Sequence, residues 1–345
     1  MIKTLFLHIG TPKTGSSSIQ KSLVGYDDGR TKYLEPLTST NHNLLLPAFS
    51  PPGSSEVNWG ANDNGENKDL LKLKLENAKL KFENAILSPS HENLIVSAEA
   101  LCILAEDGVK KFFNFIHDLN RDIDIKVICY LREPKSFAAS ELQQRVKRHH
   151  SPKIFEVPDK INLHFVHGLK KFVPYVDSDS LIVREFNRDK LVNNCVVEDI
   201  CKIMNIKITN IHQTNESLNI PTLKIVIVLN RSMVTYGSQN LYRARIKFIE
   251  KINEAYSGSP MLDKEIFTGM YRNSEIIFCK QFFKIDFTKS IGEFKSKKLL
   301  QNLLHDISDI DHKPLNNIIL KSKINVDIKS SITNKIIAIY KSYLK

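Results

Sequence analysis

The chain has 345 residues, 42% hydrophobic and 25% charged, ordinary globular usage that excludes a wholly disordered chain, a collagen-like fibre and a multi-span membrane protein. At roughly 150 residues per domain it holds two domains, or one enlarged domain with a helical addition. Lys plus Arg is 49 against 38 for Asp plus Glu, a formal charge of +11 with His neutral, which suits an anionic ligand or surface without naming one.

Residues 4–9, TLFLHI, form the first predicted strand, a mostly apolar run of the kind a sheet covered on both faces requires. His8 within it reads as a satisfied core residue. The strand enters the loop GTPKTG, and Ser16, Ser17 and Ser18 then open a short helix carrying Ile19 and Leu23. Residues 25–65 turn toward Gly, Pro, Ser and Asn around a lone Trp59-Gly60 and read as long loops with room for short elements. A polar insertion over 25–92, this close to the loop, is a natural place to receive a variable substrate. Leu71, Leu75, Ala78 and Phe82 recur at helical spacing among Lys and Glu, an amphipathic helix with a wet charged face.

Residues 94–97 are the second predicted strand, followed by a helix beginning near Glu99. A helical pattern over 109–119 leads into a third strand over 125–131, IKVICYL, where Cys129 reads as a small core residue. After Arg132-Glu133-Pro134 come the helical run SFAASELQQRVKRHH, a polar bridge with Pro152 and Pro158, a helix over 163–172 and a strand over 180–183. This alternation predicts an α/β fold with a three-layer, mainly parallel sheet. The expected domain spans 1–230, with 231–345 as a mostly helical extension packed on the core. In that extension 223–229 reads as helix, and helical spacing recurs over 241–252, 265–283, 298–307 and 332–344. Lys clusters such as Lys295, Lys297 and Lys298 read as solvated helix faces.

Cys102, Cys129, Cys195, Cys201 and Cys279 are widely spaced with no CxxC, which indicates neither a zinc knuckle nor a thioredoxin-type pair. The apolar segment before Gly10 is too short for a membrane span or an ordinary signal peptide, and no later run reaches 18 apolar residues. A soluble protein of a reducing compartment is expected.

Gly10-Thr11-Pro12-Lys13-Thr14-Gly15-Ser16-Ser17 nearly overlays the GxxxxGK[ST] form, with the Lys after the second glycine missing and its charge moved to Lys13. Amides around residues 15–18 have no helical partner, the helix dipole favours an anion there, and the hydroxyls of Ser16, Ser17 and Ser18 add donors. An ATP loop sets its terminal Lys on the β and γ phosphates and its Ser/Thr on Mg²⁺. Lys13 is better placed beside a single phosphate and whatever leaves from it, which favours a short anionic tail over a triphosphate. The same loop elsewhere in a chain would be a structural turn; its place directly after an apolar strand makes it a phosphate site.

Arg132 ends the third strand, and ligand crevices of α/β sheets lie at the carboxyl ends of the strands, so Arg132 and the glycine loop open on one side. Ser140 follows eight residues later within the next helix. A guanidinium fork and a hydroxyl make a compact phosphate clamp, and two phosphate sites on one crevice imply a nucleotide with phosphates at both ends. The competing reading of Arg132 is a surface ion pair with Glu133 or Glu141.

The pairing of TPKTGSSS with LREPKSFAAS resembles the P-loop-like sulfotransferases that use 3′-phosphoadenosine 5′-phosphosulfate (PAPS), nearest to bacterial carbohydrate sulfotransferases. The resemblance implies that Lys13, Thr14, Gly15, Ser16, Ser17 and Ser18 hold the 5′-phosphosulfate and that Arg132 and Ser140 hold the 3′-phosphate. Adenosine 3′,5′-bisphosphate would be the product, and no metal would be required. It runs more weakly through residues 183–191, VREFNRDKL, and Asn215-Glu216-Ser217, covering about 1–230. Ser17 stands where many members carry Thr, and no counterpart of the Arg-Lys-Gly nucleotide clamp of the cytosolic small-molecule members is present.

Sulfuryl transfer to an alcohol needs an in-line nucleophile, a base for its proton and positive charge against the donor. Lys13 meets the charge developing on the leaving phosphate. Glu99, just past the second strand, is the base candidate, since a Glu in the comparable segment is the base in some carbohydrate sulfotransferases. The other readings of Glu99 are a first-turn carboxylate that stabilises a helix dipole and an acceptor-orienting residue. His149 and His150 are alternative bases, and with Arg145, Lys147 and Arg148 they form either a solvated helix end or a contact for an anionic sugar chain. The polar insertion supplies few aromatics for a dry slot, so the expected acceptor is a carbohydrate or glycolipid, modified in the bacterial cytoplasm. A small-molecule kinase is disfavoured by the missing terminal Lys. A non-catalytic anion- or nucleic-acid-binding protein suits the charge but lacks RNP, zinc-finger and helix-turn-helix signatures, so no nucleic-acid partner is expected.

Overall fold

The computed structural model describes residues 1–51, 68–148, 168–212, 217–232 and 239–344. Trp59, Gly60, His149, His150, Pro152, Pro158, Asn215, Glu216 and the first half of the helix expected over 163–172 lie outside the described residues. Strands β1 (Thr4–His8), β2 (Thr31–Tyr33), β3 (Asn93–Ser97), β4 (Asp124–Leu131) and β5 (Leu181–Glu185) form one sheet in the order β2-β3-β1-β4-β5, with every pairing parallel. Parallel neighbours require crossovers, and the helices supply them. They are α1 (Ser16–Leu23), α2 (Leu45–Phe49), α3 (Lys68–Leu87), α4 (Glu106–Leu119) and α5 (Pro134–Arg148), and α6 (Val196–Met204) follows the last strand. Beyond them follow α7 (Ile220–Ser232), α8 (Gln239–Ala255), α9 (Asn273–Phe283), α10 (Lys297–His305), α11 (Lys313–Lys321) and α12 (Ile332–Ser342).

Side chains alternate across a strand, and the alternation sorts the core. Phe6, Ile95, Ile128 and Tyr130 face a cluster completed by Ile19 and Leu23 of α1 and by Val196, Val197 and Ile200 of α6. Leu5, Leu7, Leu94, Val96 and Val127 are equally buried and point to the other face. There α2, α3 and α4 meet through Phe49, Phe82 and Phe112, with ring centroids 5.0 and 5.6 Å from Phe112 to its two partners. The fold is therefore α/β, with a parallel sheet flanked by helices. Among the described residues no helix is long and apolar enough to cross a membrane.

The chain divides into two compact units, the first Met1–Glu133, Asn162–Thr214 and Ser274–Thr288, the second Pro134–Ile161, Asn215–Asn273 and Lys289–Lys345. The whole sheet belongs to the first unit. The second is helical around α7, which is buried from Thr222 to Asn230 and packs on α5, α8, α10 and α12. Two of its buried lysines are matched by carboxylates: Lys224 Nζ lies 2.6 Å from Asp309, and Lys135 Nζ lies within 2.9 Å of both Glu265 carboxylate oxygens. Arg245, fully buried, donates to the carbonyls of Val146 and Lys147 and so closes the end of α5.

Several expectations change. Within the stretch read as loops, β2 and α2 are core elements, with Thr31, Tyr33 and the whole of Leu45–Phe49 buried. Three strand residues are too few to show alternation, and a five-residue helix too few to show a stripe. The helix read over 265–283 is a short 3-10 turn, Lys264–Phe267, and then α9. Gly269 between them has φ +79°, and its Cα faces the Glu293 and Phe294 backbone, which a side chain would foul. Glu99 opens a 3-10 turn, Glu99–Ile103, rather than an α-helix, and α11 is an addition.

Candidate active site

The loop after β1 is built as an arch tied to β4. Thr11 Oγ1 donates to the Tyr130 carbonyl at 2.8 Å, and Thr14 Oγ1 donates to the Thr11 carbonyl at 2.6 Å. Both threonines are fully buried, and the hydroxyl of Ser16 lies 3.4 Å from the same Thr11 carbonyl. Of the hydroxyls expected on a ligand, that of Thr14 is thus engaged inside the arch, whereas Ser17 is exposed. Gly10, Lys13 and Gly15 all take positive φ, at 74°, 66° and 79°. The left-handed conformation at Lys13 costs a non-glycine residue roughly 1–2 kcal/mol, a strain of the kind that concentrates at functional sites.

Gly15 caps α1 with no side-chain acceptor, and the first turn holds no acidic residue. Ser18 and Ile19 amides donate back to the Gly15 carbonyl. The amides of Ser16 and Ser17 find no acceptor among the described residues, so they point outward from the positive end of the helix. Gly15 also has no room for a side chain: a Cβ there would meet Val196 Cγ1 at 2.8 Å and the Phe186 ring at 3.3 Å.

Arg132 stands at the end of β4, beside β1 in the sheet. Its Nη1 donates to the Lys13 carbonyl at 2.9 Å, and its guanidinium lies 5.6 Å from the Phe186 ring centroid. It is half-buried and forms no ion pair with a described carboxylate. Burial pulls its pKa down, Glu133 opposes that pull and Arg188 adds to it. A guanidinium never gives up its proton under ordinary conditions, so the downward direction reflects a cost of burying its charge that Glu133 offsets only in part. An arriving anion removes that cost.

Glu99 flanks the loop from the other side. β3 pairs with β1 in parallel, and the Ala98 amide donates to the His8 carbonyl at 2.9 Å. A Cβ on Gly10 would lie 2.7 Å from Glu99 Cβ, so Gly10 is what lets the loop and the Glu99 turn touch. Burial, followed by the Glu99 charge, pushes the Cys102 thiol up to about 12, leaving it inert. The Glu99 turn is too short to build much dipole, which weakens the helix-stabilising reading of this carboxylate.

Across β3, β1 and β4 the first unit therefore sets a carboxylate, a Lys-bearing loop with open amides, and an unmatched guanidinium in a row. Ser140 is half-buried on α5 in the second unit, and its partnership with Arg132 stays an expectation. Two contributors were not foreseen. Phe186, just past β5, touches both Gly15 and Arg132, and the only signal for it is the VREFNRDKL segment. Asn43, 4% exposed, accepts the Ala100 amide on its Oδ1 at 3.0 Å. Its neighbour His42 accepts the Ser97 amide at 2.9 Å and meets the Leu34 carbonyl at 2.8 Å. Residues 42 and 43 thus grip the chain on both sides of Glu99, and an Asn-His-Asn string in a polar stretch gives no local sign of it.

No family model and no curated protein matches the chain. Among solved structures it is similar to the crystal structure of a sulfotransferase from Alicyclobacillus acidocaldarius, at 12% identity, over 66% of this chain and 92% of that one, with a TM-score of 0.32. A likeness at that level says nothing about chemistry, which rests on the residues themselves.

Proposed function

We propose that the chain transfers the sulfuryl group of PAPS to a hydroxyl of a carbohydrate or glycolipid by in-line displacement, releasing adenosine 3′,5′-bisphosphate. The observation that carries this reading is Arg132, half-buried against the Lys13 carbonyl and the Phe186 ring and in no ion pair with a described carboxylate, one strand away from a helix start with open amides. A molecule with an anionic group at each end suits that spacing; a single triphosphate does not.

In this reading Lys13, Thr14, Gly15, Ser16, Ser17 and Ser18 hold the 5′ end, with Thr14 contributing its amide, and Arg132 and Ser140 hold the 3′-phosphate. The acceptor oxygen attacks sulfur opposite the bridging oxygen while Glu99 takes its proton. The sulfur–oxygen bond to the 5′-phosphate breaks, and Lys13 meets the charge left on that phosphate. A polar acceptor fits the first unit: with Tyr33, Leu45, Leu46 and Phe49 taken into the core, the described part of residues 25–92 leaves few aromatics to line a dry slot.

The test is a binding comparison of adenosine 3′,5′-bisphosphate and ATP, with and without Mg²⁺, followed by transfer of labelled sulfate from PAPS to a panel of glycans. The bisphosphate is expected to bind without Mg²⁺ and at least about tenfold more tightly than ATP, a difference of about 1.4 kcal/mol. Equal or tighter Mg²⁺-dependent ATP binding makes the chain a kinase and ends this reading.

A further inference from the structure

On the sheet face opposite α1 a cavity of about 260 Å³ opens between the edge strand β2 and α3. Its floor is Ile2, Leu34 and Leu94, each at most 4% exposed. Leu94 lies at the amino end of β3, whereas Glu99 follows its carboxyl end, so this cavity is not the candidate active site. Lys32 is paired in register with Leu94, which sets its stem on the same face. Lys81 approaches from α3.

The helix explains why space is left above that floor. Ala78, Phe82 and Ile86 of α3 are buried in the core, while the adjoining row bears Lys81 and then Ala85, a methyl group where a large apolar side chain would close the layer. Neither Lys32 nor Lys81 forms an ion pair with a described carboxylate. Glu35, on the rim, is exposed and likewise unpaired with either. The nearby Asp27 does not line the cavity; both its oxygens lie within 3.0 Å of His91 Nε2. Two lysines therefore line a cavity whose floor is apolar, which calls for a ligand with an apolar body and a negative end.

We propose that this cavity binds a small amphiphilic carboxylate, its tail on Ile2, Leu34 and Leu94 and its head between Lys32 and Lys81. The volume falls just below the range of drug-sized sites, about 300–1,000 Å³, so a single short acyl or aryl group fits where a lipid or a nucleotide does not. The site stands apart from the proposed sulfuryl chemistry, and its occupancy is read without turnover.

The experiment is calorimetric titration of the full chain with octanoate at fixed ionic strength, beside 1-octanol, octyltrimethylammonium and acetate. Octanoate is expected to saturate one site, with the three controls at least about tenfold weaker, since each lacks the charge, reverses it or lacks the tail. Lys32→Gln/Lys81→Gln is expected to weaken octanoate by about tenfold or more, and Ala85→Phe, which fills the space, to abolish it while thermal midpoints stay within a few degrees of the parent. Absence of saturable octanoate binding, equal affinity for octanol, or unchanged affinity in both folded variants overturns the proposal.

Discussion

Arg184 and Arg132 stand on neighbouring strands near the same edge of one sheet, and the chain treats them in opposite ways. Arg184 meets both oxygens of the buried Asp199 at 2.7 Å, and the Tyr130 hydroxyl and the Val192 amide occupy what remains of that carboxylate. Every charge there has its answer inside the protein. Arg132 has a carbonyl and a ring in contact, feels the charges of Glu133 and Arg188, and forms no ion pair with a described carboxylate. Since a charge in a half-buried place without a paired carboxylate is costly, its retention beside a helix start with open amides marks an opening for an external anion. A third treatment completes the contrast: His8 and His42 are buried and kept neutral, with burial lowering each from 6.5 to about 4.

The largest effect expected from this contrast is on acid stability. Unfolded, both imidazoles take up a proton near 6.5; folded, they resist until about 4. Above 6.5 neither state is protonated and their contribution is constant. As pH falls from 6.5 to 4 the unfolded state binds protons that the folded state refuses, and stability is lost. The loss is about 3 kcal/mol for each imidazole and levels off below 4. Denaturant midpoints from pH 7 to 4, with imidazole titrations followed by NMR, check it. A flat profile, or imidazoles that titrate near 6.5 in the folded chain, would refute the neutral burial.

Glu99→Gln keeps the size of the side chain and removes its capacity to accept a proton. Turnover with a sulfated glycan as product is expected to fall about 10²-fold or more, the scale of general-base catalysis, with bisphosphate affinity and thermal midpoint nearly unchanged. Near-native turnover would pass the role of base to His149 or His150.

Alanine at the two arginines separates the closed charge from the open one. Arg184→Ala leaves Asp199 buried and unmatched; breaking a buried pair costs about 3–5 kcal/mol, reduced here to about 2–3 because Arg184 is 38% exposed. Nucleotide selectivity should not move. Arg132→Ala is expected to do the reverse: stability holds, while preference for adenosine 3′,5′-bisphosphate over its 3′-dephospho counterpart falls about tenfold. Arg132 is scaffold if that preference survives.

What was legible in the chain divides along similar lines. The glycine loop and Arg132 are local features, each at the end of an apolar strand, and parallel pairing of β3, β1 and β4 sets them in one row with Glu99. Phe186 and Asn43 are tertiary features. The strand end each will meet depends on the order of strands in the sheet, which residues near Phe186 or Asn43 do not spell out.

Asn43 offers the finest test of the contrast, because it acts on a charge it does not touch. Its Oδ1 holds the Ala100 amide, the first N–H after Glu99, and in its absence that buried amide loses its acceptor at a cost of about 1–3 kcal/mol. The turn then has freedom that the Glu99 carboxylate inherits. Asn43→Ala is expected to lower the thermal midpoint and to reduce turnover about fivefold, with bisphosphate affinity unchanged because Lys13 and Arg132 lie on the far side of the loop from this contact. Asn43→Asp restores the acceptor and should recover most of the turnover. The decisive readout is the acid limb of the pH–turnover profile, which reports the ionisation of the base. If Asn43 positions Glu99, that limb shifts in the Ala variant and returns in the Asp variant; a fall in stability with an unmoved limb and full turnover leaves Asn43 a bracket for the 3-10 turn and nothing more.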